Sequence, residues 1–314
     1  MKIIITGGLG HIGSKLIRKI PKEFNKFEII IIDNLLTQRY ASLFDLPKNY
    51  KFKFINSDIK DPKIEKYFKN AKYLIHLSAI TDATSSFERK KEVENNNYNS
   101  TSIIANYCIK YKINLIYISS TSVYGEQLKE VDETLALNKL LPKSPYAKTK
   151  IKEERLLFKL SKKYKLNHCI LRFGTIFGFS IGMRFHTAVN KFIWQAVMGN
   201  KITVWKTALH QKRPYLDLDD AIDSIFFVII NNLFNSEIYN ILTNNYTVND
   251  IIKAIKNHVN NVSITKVSHI IMNQYSYNVS NRKISKLGFK FKGSLKKQLS
   301  TTHKKLKNTN IKTQ

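Results

Sequence analysis

Residues Lys2–Ser14 read K-I-I-I-T-G-G-L-G-H-I-G-S. The β-branched run Ile3–Ile5 predicts a buried strand, and it breaks into glycines at 7, 10 and 13. An amphipathic segment follows, with Ile12, Leu16, Ile17 and Ile20 on one face and Lys15, Arg18 and Lys19 on the other. Strand, tight glycine turn and helix in that order make the phosphate cradle of a dinucleotide-binding unit. Glycine lets the turn take unusual φ values and lets backbone N–H groups approach a pyrophosphate. The helix start directs its positive dipole end at the same phosphates. The spacing is G-x-x-G-x-x-G, a variant of the commoner G-x-G-x-x-G. A second apolar run, Phe27–Ile32, ends in Asp33, about 20 residues past the last glycine, where a ribose-binding acid is expected.

Working outward, strand patterns at 51–55, 73–77, 114–119 and 168–173 alternate with helical ones at 93–111 and 146–164. This rhythm predicts an α/β fold with a doubly wound, Rossmann-type parallel sheet. Past Phe173 the pattern changes. Helices are expected at 185–198, 220–230 and 248–258, with short strands at 202–205 and 238–241. The expected division is a Rossmann domain over residues 1–174 and a smaller mixed α/β substrate-binding lobe over 175–300, interleaved at the boundary. A polar, basic tail that frays is expected from about Lys296, with residues 301–314 set apart as the tail proper.

A chain of 314 residues carries a full α/β core, and no apolar run approaches the roughly 20 residues of a membrane span. The N-terminus enters a strand directly, so no signal peptide is expected, and Cys108 and Cys169 read as buried, reduced thiols of a cytoplasmic protein. The net charge is +29, but the lysines are spread along the whole chain. No basic stripe interleaved with aromatics stands out, so nucleic acid is not the expected partner. No metal site is assigned.

The chemistry gathers near the middle. The strand 114–119 ends in S-S-T-S-V-Y-G, which places Ser119–Ser122 at the sheet's carboxyl edge, and S-P-Y-A-K-T-K puts Tyr146 and Lys150 four residues apart on one helix face. A phenol has a pKa near 10, but a neighbouring ammonium and an oxidised nicotinamide favour the phenolate. Tyr146 is then able to exchange a proton with a substrate hydroxyl while hydride moves to the cofactor ring, with Ser120 holding the same oxygen.

Together these pieces make the chain resemble an extended short-chain dehydrogenase/reductase of the sugar-nucleotide epimerase/dehydratase family. The matching segments are T-G-G-L-G-H-I-G, I-D-N (Ile32–Asn34), S-D-I (Ser57–Ile59), H-L-S-A (His76–Ala79), N-Y-N-S-T (Asn97–Thr101) and the two central motifs above. L-R-F-G-T-I-F-G (Leu171–Gly178) and R-P-Y-L-D-L-D-D (Arg213–Asp220) complete the set. The resemblance implies NAD as cofactor. Gly7, Gly10, His11, Ile12 and Gly13 would hold its pyrophosphate, Asp33, with Asn34 beside it, the adenosine ribose, and Asp58 and Ile59 the adenine. Leu77, Ser78 and Ala79 would line the nucleotide groove, and Lys150 would bind the nicotinamide ribose. It further implies Ser120, Tyr146 and Lys150 as the catalytic set, and Asn190 and Arg213 as contacts to a nucleotide-sugar diphosphate. Homodimers through the helices at 93–111 and 146–164 are common in the family.

Family dehydratases carry an acidic pair directly after the catalytic hydroxyl, where this chain has Thr121 and Ser122. A 4,6-dehydratase is therefore disfavoured. The expected activity is epimerisation at C4 through a transient 4-keto sugar. A 4-dehydrogenase or 4-ketoreductase on the same residues is the nearest alternative, and a non-catalytic nucleotide- or RNA-binding protein the alternative of another class. His186 in the G-M-R-F-H segment has no assigned role.

Overall fold

A computed structural model describes residues 1–24, 27–81, 85–268 and 276–306. The chain opens with β1 (Lys2–Thr6), α1 (His11–Glu23), β2 (Glu28–Asp33), β3 (Phe52–Asn56), β4 (Ala71–His76) and α2 (Lys90–Tyr111). It continues through β5 (Asn114–Ser120), α3 (Pro145–Tyr164) and β6 (His168–Phe173). The remainder is β7 (Thr175–Phe177), α4 (Ala188–Val197), β8 (Ile202–Trp205), β9 (Lys212–Asp217), α5 (Leu218–Ile230), β10 (Glu237–Ile241), β11 (Asn244–Thr247), α6 (Val248–Lys256), β12 (Ile264–Val267), α7 (Arg282–Lys286) and α8 (Leu295–Leu306).

Seven strands form one sheet in the order β10-β6-β5-β4-β1-β2-β3, every pair parallel. Alternation along β1 decides which side each isoleucine serves. Ile3 and Ile5 join Leu16, Ile17 and Ile20 of α1 and Ile225 of α5 on one face. Ile4 joins Ile104 of α2 and Leu157 of α3 on the other. A parallel sheet covered on both faces needs such uninterrupted apolar strands. The chain reverses direction across the sheet between β1 and β4, and ligands of open α/β sheets bind outside the carboxyl ends at that point.

The elements after Phe173 divide between two tasks. β10 extends the main sheet beside β6, and α5 packs against α1, with Lys15 and Lys19 reaching Asp219 at 3.2 and 2.8 Å. A three-stranded sheet β11-β9-β7, the pair β12-β8 and helices α4, α6 and α8 enclose a separate apolar cluster around Phe177, Ile193, Ile251 and Leu299. The stretch from Lys296 departs from the fraying tail that its polarity predicts. It is helical to Leu306, with Gln298, Leu299 and Thr302 buried, and residues 307–314 lie outside the described residues.

One buried charge pair fixes α3 to the sheet. Arg172 on β6 donates from Nε and Nη2 to the two Glu154 carboxylate oxygens at 2.9 and 2.6 Å and from Nη1 to the Tyr124 hydroxyl at 2.9 Å. Ser119 adds a 2.5 Å bond to Glu154. Both charged side chains are essentially shielded from water, so removing one strands the other. Arg172→Met should cost roughly 3–5 kcal/mol, read as a fall in the urea midpoint, and Arg172→Met/Glu154→Leu should recover much of it. Equal losses in the single and double variants would contradict this account.

Candidate active site

The site is built where β1, β4 and β5 end. Gly7 leaves β1 with φ +66°, a conformation that side-chain-bearing residues rarely adopt. A Cβ there would stand 2.7 Å from the Ser78 backbone nitrogen, so the turn also presses directly on the loop after β4. A Cβ on Gly13 would meet the Gly8 carbonyl oxygen at 2.5 Å, which lets α1 start hard against the turn. Gly10 precedes α1, and its carbonyl accepts from Ser14 N at 2.8 Å. His11 and Ile12 therefore open the helix, where backbone N–H groups lack intrahelical partners. The His11 ring turns away from the turn to the Gly178 carbonyl, 2.8 Å from Nε2. Burial, opposed by that bond, pushes its pKa down to about 4, so the ring is neutral.

The nucleoside end is equally ordered. Asp33 accepts from Leu9 N at 3.1 Å through one carboxylate oxygen and from Leu35 N at 2.9 Å through the other. It is thereby locked to the glycine turn. Asn34 donates to the Asp58 carboxylate at 3.0 Å, and Ile59 next to it is buried. Leu77 N donates to Thr6 O at 3.0 Å, setting Leu77, Ser78 and Ala79 alongside the turn. Arg39, beside Asp33, is a further cation at this end that the motifs do not assign.

Tyr146 and Lys150 lie on the first turns of α3. Ser144 caps that helix by accepting from Ala147 N at 3.1 Å, and Pro145 occupies the first turn, where a missing N–H costs nothing. Ser120, the last residue of β5, hydrogen-bonds the Tyr146 phenol. Its oxygen also takes the Ser122 hydroxyl at 2.9 Å. The Lys150 ammonium lies 5.8 Å from the Tyr146 ring centre and donates to the Tyr117 hydroxyl at 3.0 Å. Lys150 pulls the phenol's pKa down, as expected of a neighbouring ammonium, but is outweighed. Burial raises it above the ordinary value, against the lowering effects of Lys150, Arg184 and the Ser120 bond. By the protein groups alone, Tyr146 is a neutral phenol at neutral pH.

The two expected diphosphate contacts differ. Arg213 on β9 has a buried Nε with no hydrogen-bond partner, a donor suited to an incoming anion. Asn190 on α4 is 1% exposed; its oxygen accepts from Gly178 N at 3.1 Å and its nitrogen donates to the Arg184 carbonyl at 2.9 Å. In this geometry it braces the 178–184 segment and does not face an open crevice. That segment lies on the glycine turn, since Ser180 donates to His11 O at 2.8 Å and Gly182 N donates to the Ser14 hydroxyl at 3.0 Å. It carries Arg184, which bonds Thr81 and His186. No motif assigned Arg184, yet its charge reaches both Tyr146 and His11.

Glycines without room for a Cβ, an acid fixed to the turn and an orphaned guanidinium nitrogen are a donor set that fits a dinucleotide and a second diphosphate. Strain at a positive φ costs on the order of 1–3 kcal/mol. Gly7→Ala should therefore weaken NAD binding by roughly tenfold or more, measured by calorimetry on protein that melts near the parent temperature. Unchanged affinity would contradict the cradle.

Relatives agree with this geometry. The chain is 32% identical over 271 residues to the dTDP-D-glucose 4,6-dehydratase of Dictyostelium discoideum, covering 82% of this chain and 62% of that protein. It is 27% identical to a putative UDP-glucose 4-epimerase of Methanocaldococcus jannaschii, covering 82% of each. The crystal structure of UDP-glucuronic acid 4-epimerase from Bacillus cereus, in complex with UDP-glucuronic acid and NAD, superposes with a TM-score of 0.89. That match is at 25% identity and covers 99% of this chain and 100% of the other. A family model described as the NAD dependent epimerase/dehydratase family matches residues 3–241, with the cradle and Tyr146 inside the match. The chain belongs to that family.

Proposed function

We propose that the protein is an NAD-dependent sugar-nucleotide epimerase that inverts C4 of a UDP-sugar or a closely related nucleotide sugar. The observation that carries this reading is the convergence of Ser120, Tyr146 and Lys150 at the edge of the sheet that also holds the glycine cradle. Bound NAD supplies a reversible hydride acceptor. Gly7, Gly10, Gly13 and the backbone of His11 and Ile12 hold its pyrophosphate. Asp33 and Asn34 serve the adenosine ribose, Asp58 and Ile59 the adenine, and Leu77–Ala79 one wall of the groove. Asp33, acceptor-only and already fixed by two backbone donors, suits a free 2′-hydroxyl.

The remaining steps belong to this chain. Ser120 orients the sugar O4, and Tyr146 takes its proton while C4 is oxidised, then returns it after the keto sugar has turned. Lys150 and Arg184 favour the phenolate during the oxidised stage. Arg213, whose Nε has no partner, grips the sugar-nucleotide diphosphate with its guanidinium, and Asn190 supports that role by holding the loop that bears Arg184. Residues 1–174 form the cofactor part and residues 175–300 the substrate part of this scheme.

Dehydration is the weaker reading despite the dehydratase relative. Elimination of water needs an acid and a base next to the hydroxyl, and the two residues after Ser120 are Thr121, which is buried, and Ser122, whose hydroxyl bonds Ser120. We further assign a homodimer built on α2 and α3, which lie side by side on one face of the sheet, and a cytoplasmic setting, in keeping with the two buried free thiols. Among the described residues no helix is long and apolar enough to cross a membrane.

Tyr146→Phe should lower turnover at least 100-fold, the range general acid–base catalysis supplies, while NAD still binds. The assay is product analysis over a panel headed by UDP-glucuronic acid and UDP-glucose. A fully active Phe variant would contradict the assignment.

A further inference from the structure

Glu153 has no place in the motifs or in the scheme above. It lies one helical turn beyond Lys150 on α3 and is 1% exposed. One carboxylate oxygen accepts from the Thr101 hydroxyl at 2.5 Å. The other is 3.4 Å from the Lys150 ammonium and faces the Tyr117 hydroxyl that the ammonium also contacts. Thr101 in turn lies 3.3 Å from His76 Nε2, and His76 Nδ1 lies 2.7 Å from the Thr6 hydroxyl at the start of the glycine turn. Burial, with a smaller push from Lys150, lowers the His76 pKa to about 3, so the ring is neutral and passes no charge.

The fold has little use for a carboxylate here. Glu154 and Leu157 already attach α3 to the sheet, and burying a charge is costly without a partner. The partner is Lys150, itself 3% exposed and shared with the Tyr117 hydroxyl. The charged and titratable groups around Tyr146 are Lys150 and Glu153 on its own helix, Tyr117 on β5 and Arg184 from the loop before α4, with Ser120 bonding the phenol. Glu154 is occupied by Arg172. Among the charges that act on Tyr146, Glu153 opposes the two cations.

We propose that Glu153 is a positioning residue that holds the Lys150 ammonium beside Tyr146 and, through its negative charge, sets the pH at which Tyr146 gives up its proton. The proposal rests on Tyr146 as the acid/base but is tested apart from it. Neutralising Glu153 removes a charge that disfavours phenolate, while the Tyr117 hydroxyl 3.0 Å from Nζ still keeps the ammonium near the ring, so the Tyr146 midpoint falls.

The experiment is a pH titration by NMR of NAD-loaded protein carrying tyrosine labelled at the ring carbon bearing oxygen, with the Tyr146 signal assigned by its loss in Tyr146→Phe. Glu153→Gln should lower the midpoint by roughly one pH unit, Glu153→Met should move it the same way, and Glu153→Asp should stay near the parent. Where a nucleotide sugar is turned over, the ascending limb of kcat/KM should move to lower pH by the same amount. An unmoved or raised midpoint in both folded neutral variants overturns the proposal, even if kcat falls, because that pattern is the mark of a purely structural carboxylate. An active Tyr146→Phe enzyme would overturn the acid/base reading instead, and the two failures are read from different signals.

Discussion

A cation buried against a phenol is the constraint on which the rest of the molecule depends. Lys150 can influence Tyr146 only while both stay out of water, and both then need partners that do not quench them. Tyr117 and Glu153 occupy the ammonium, and Ser120 occupies the phenol. The helix bearing the pair is bolted to β6 through Glu154 and Arg172. Burial raises the phenol's pKa more than the cations lower it, so the protein groups alone favour the protonated phenol. Bound NAD in its oxidised form would add positive charge here, which favours the phenolate when a base is required.

The second determinant is the closeness of three backbones at the carboxyl edge. The turn after β1 touches the loop after β4, and the 178–184 segment is bonded to the same turn from the other side. This segment links two parts of the chain that are distant in sequence, and it delivers Arg184 to the tyrosine. His11 and Asn190, both read as ligand contacts in the motifs, spend their side chains on this junction. The backbone of the first and the placement of the second still serve the site.

Much of this is legible in the residues themselves. The isoleucine run, the glycines and Asp33 follow from local spacing, and so do β1, α1 and β2. The Tyr146–Lys150 pair follows from helical periodicity once Ser144-Pro145 marks the helix start. What was not legible is what distant segments supply. β7, β11 and β12 are three or four residues long without a clear apolar alternation, and β9 carries Pro214; pairing with distant partners, β9 for the first two and β8 for β12, makes them strands. α4 begins at Ala188, not Phe185, because residues before it are drawn onto the glycine turn and Asn190. The basic end is a packed helix because Leu295 and Leu299 join the α4–α6 cluster. His76 was visible only as the first residue of H-L-S-A, Tyr117 as a polar ring within an apolar strand and Glu153 as one charge in a charged helix, and their meaning depends on partners up to 70 positions away.

The central claim is that C4 is oxidised and re-reduced within one closed site, with Tyr146 carrying only the proton. A UDP-sugar deuterated at C4, drawn from the panel that the protein turns over, tests it most directly. The account predicts a product inverted at C4 with the deuterium still on C4 and no consumption of added NAD. Deuterium lost to solvent or carried off on added cofactor would contradict it.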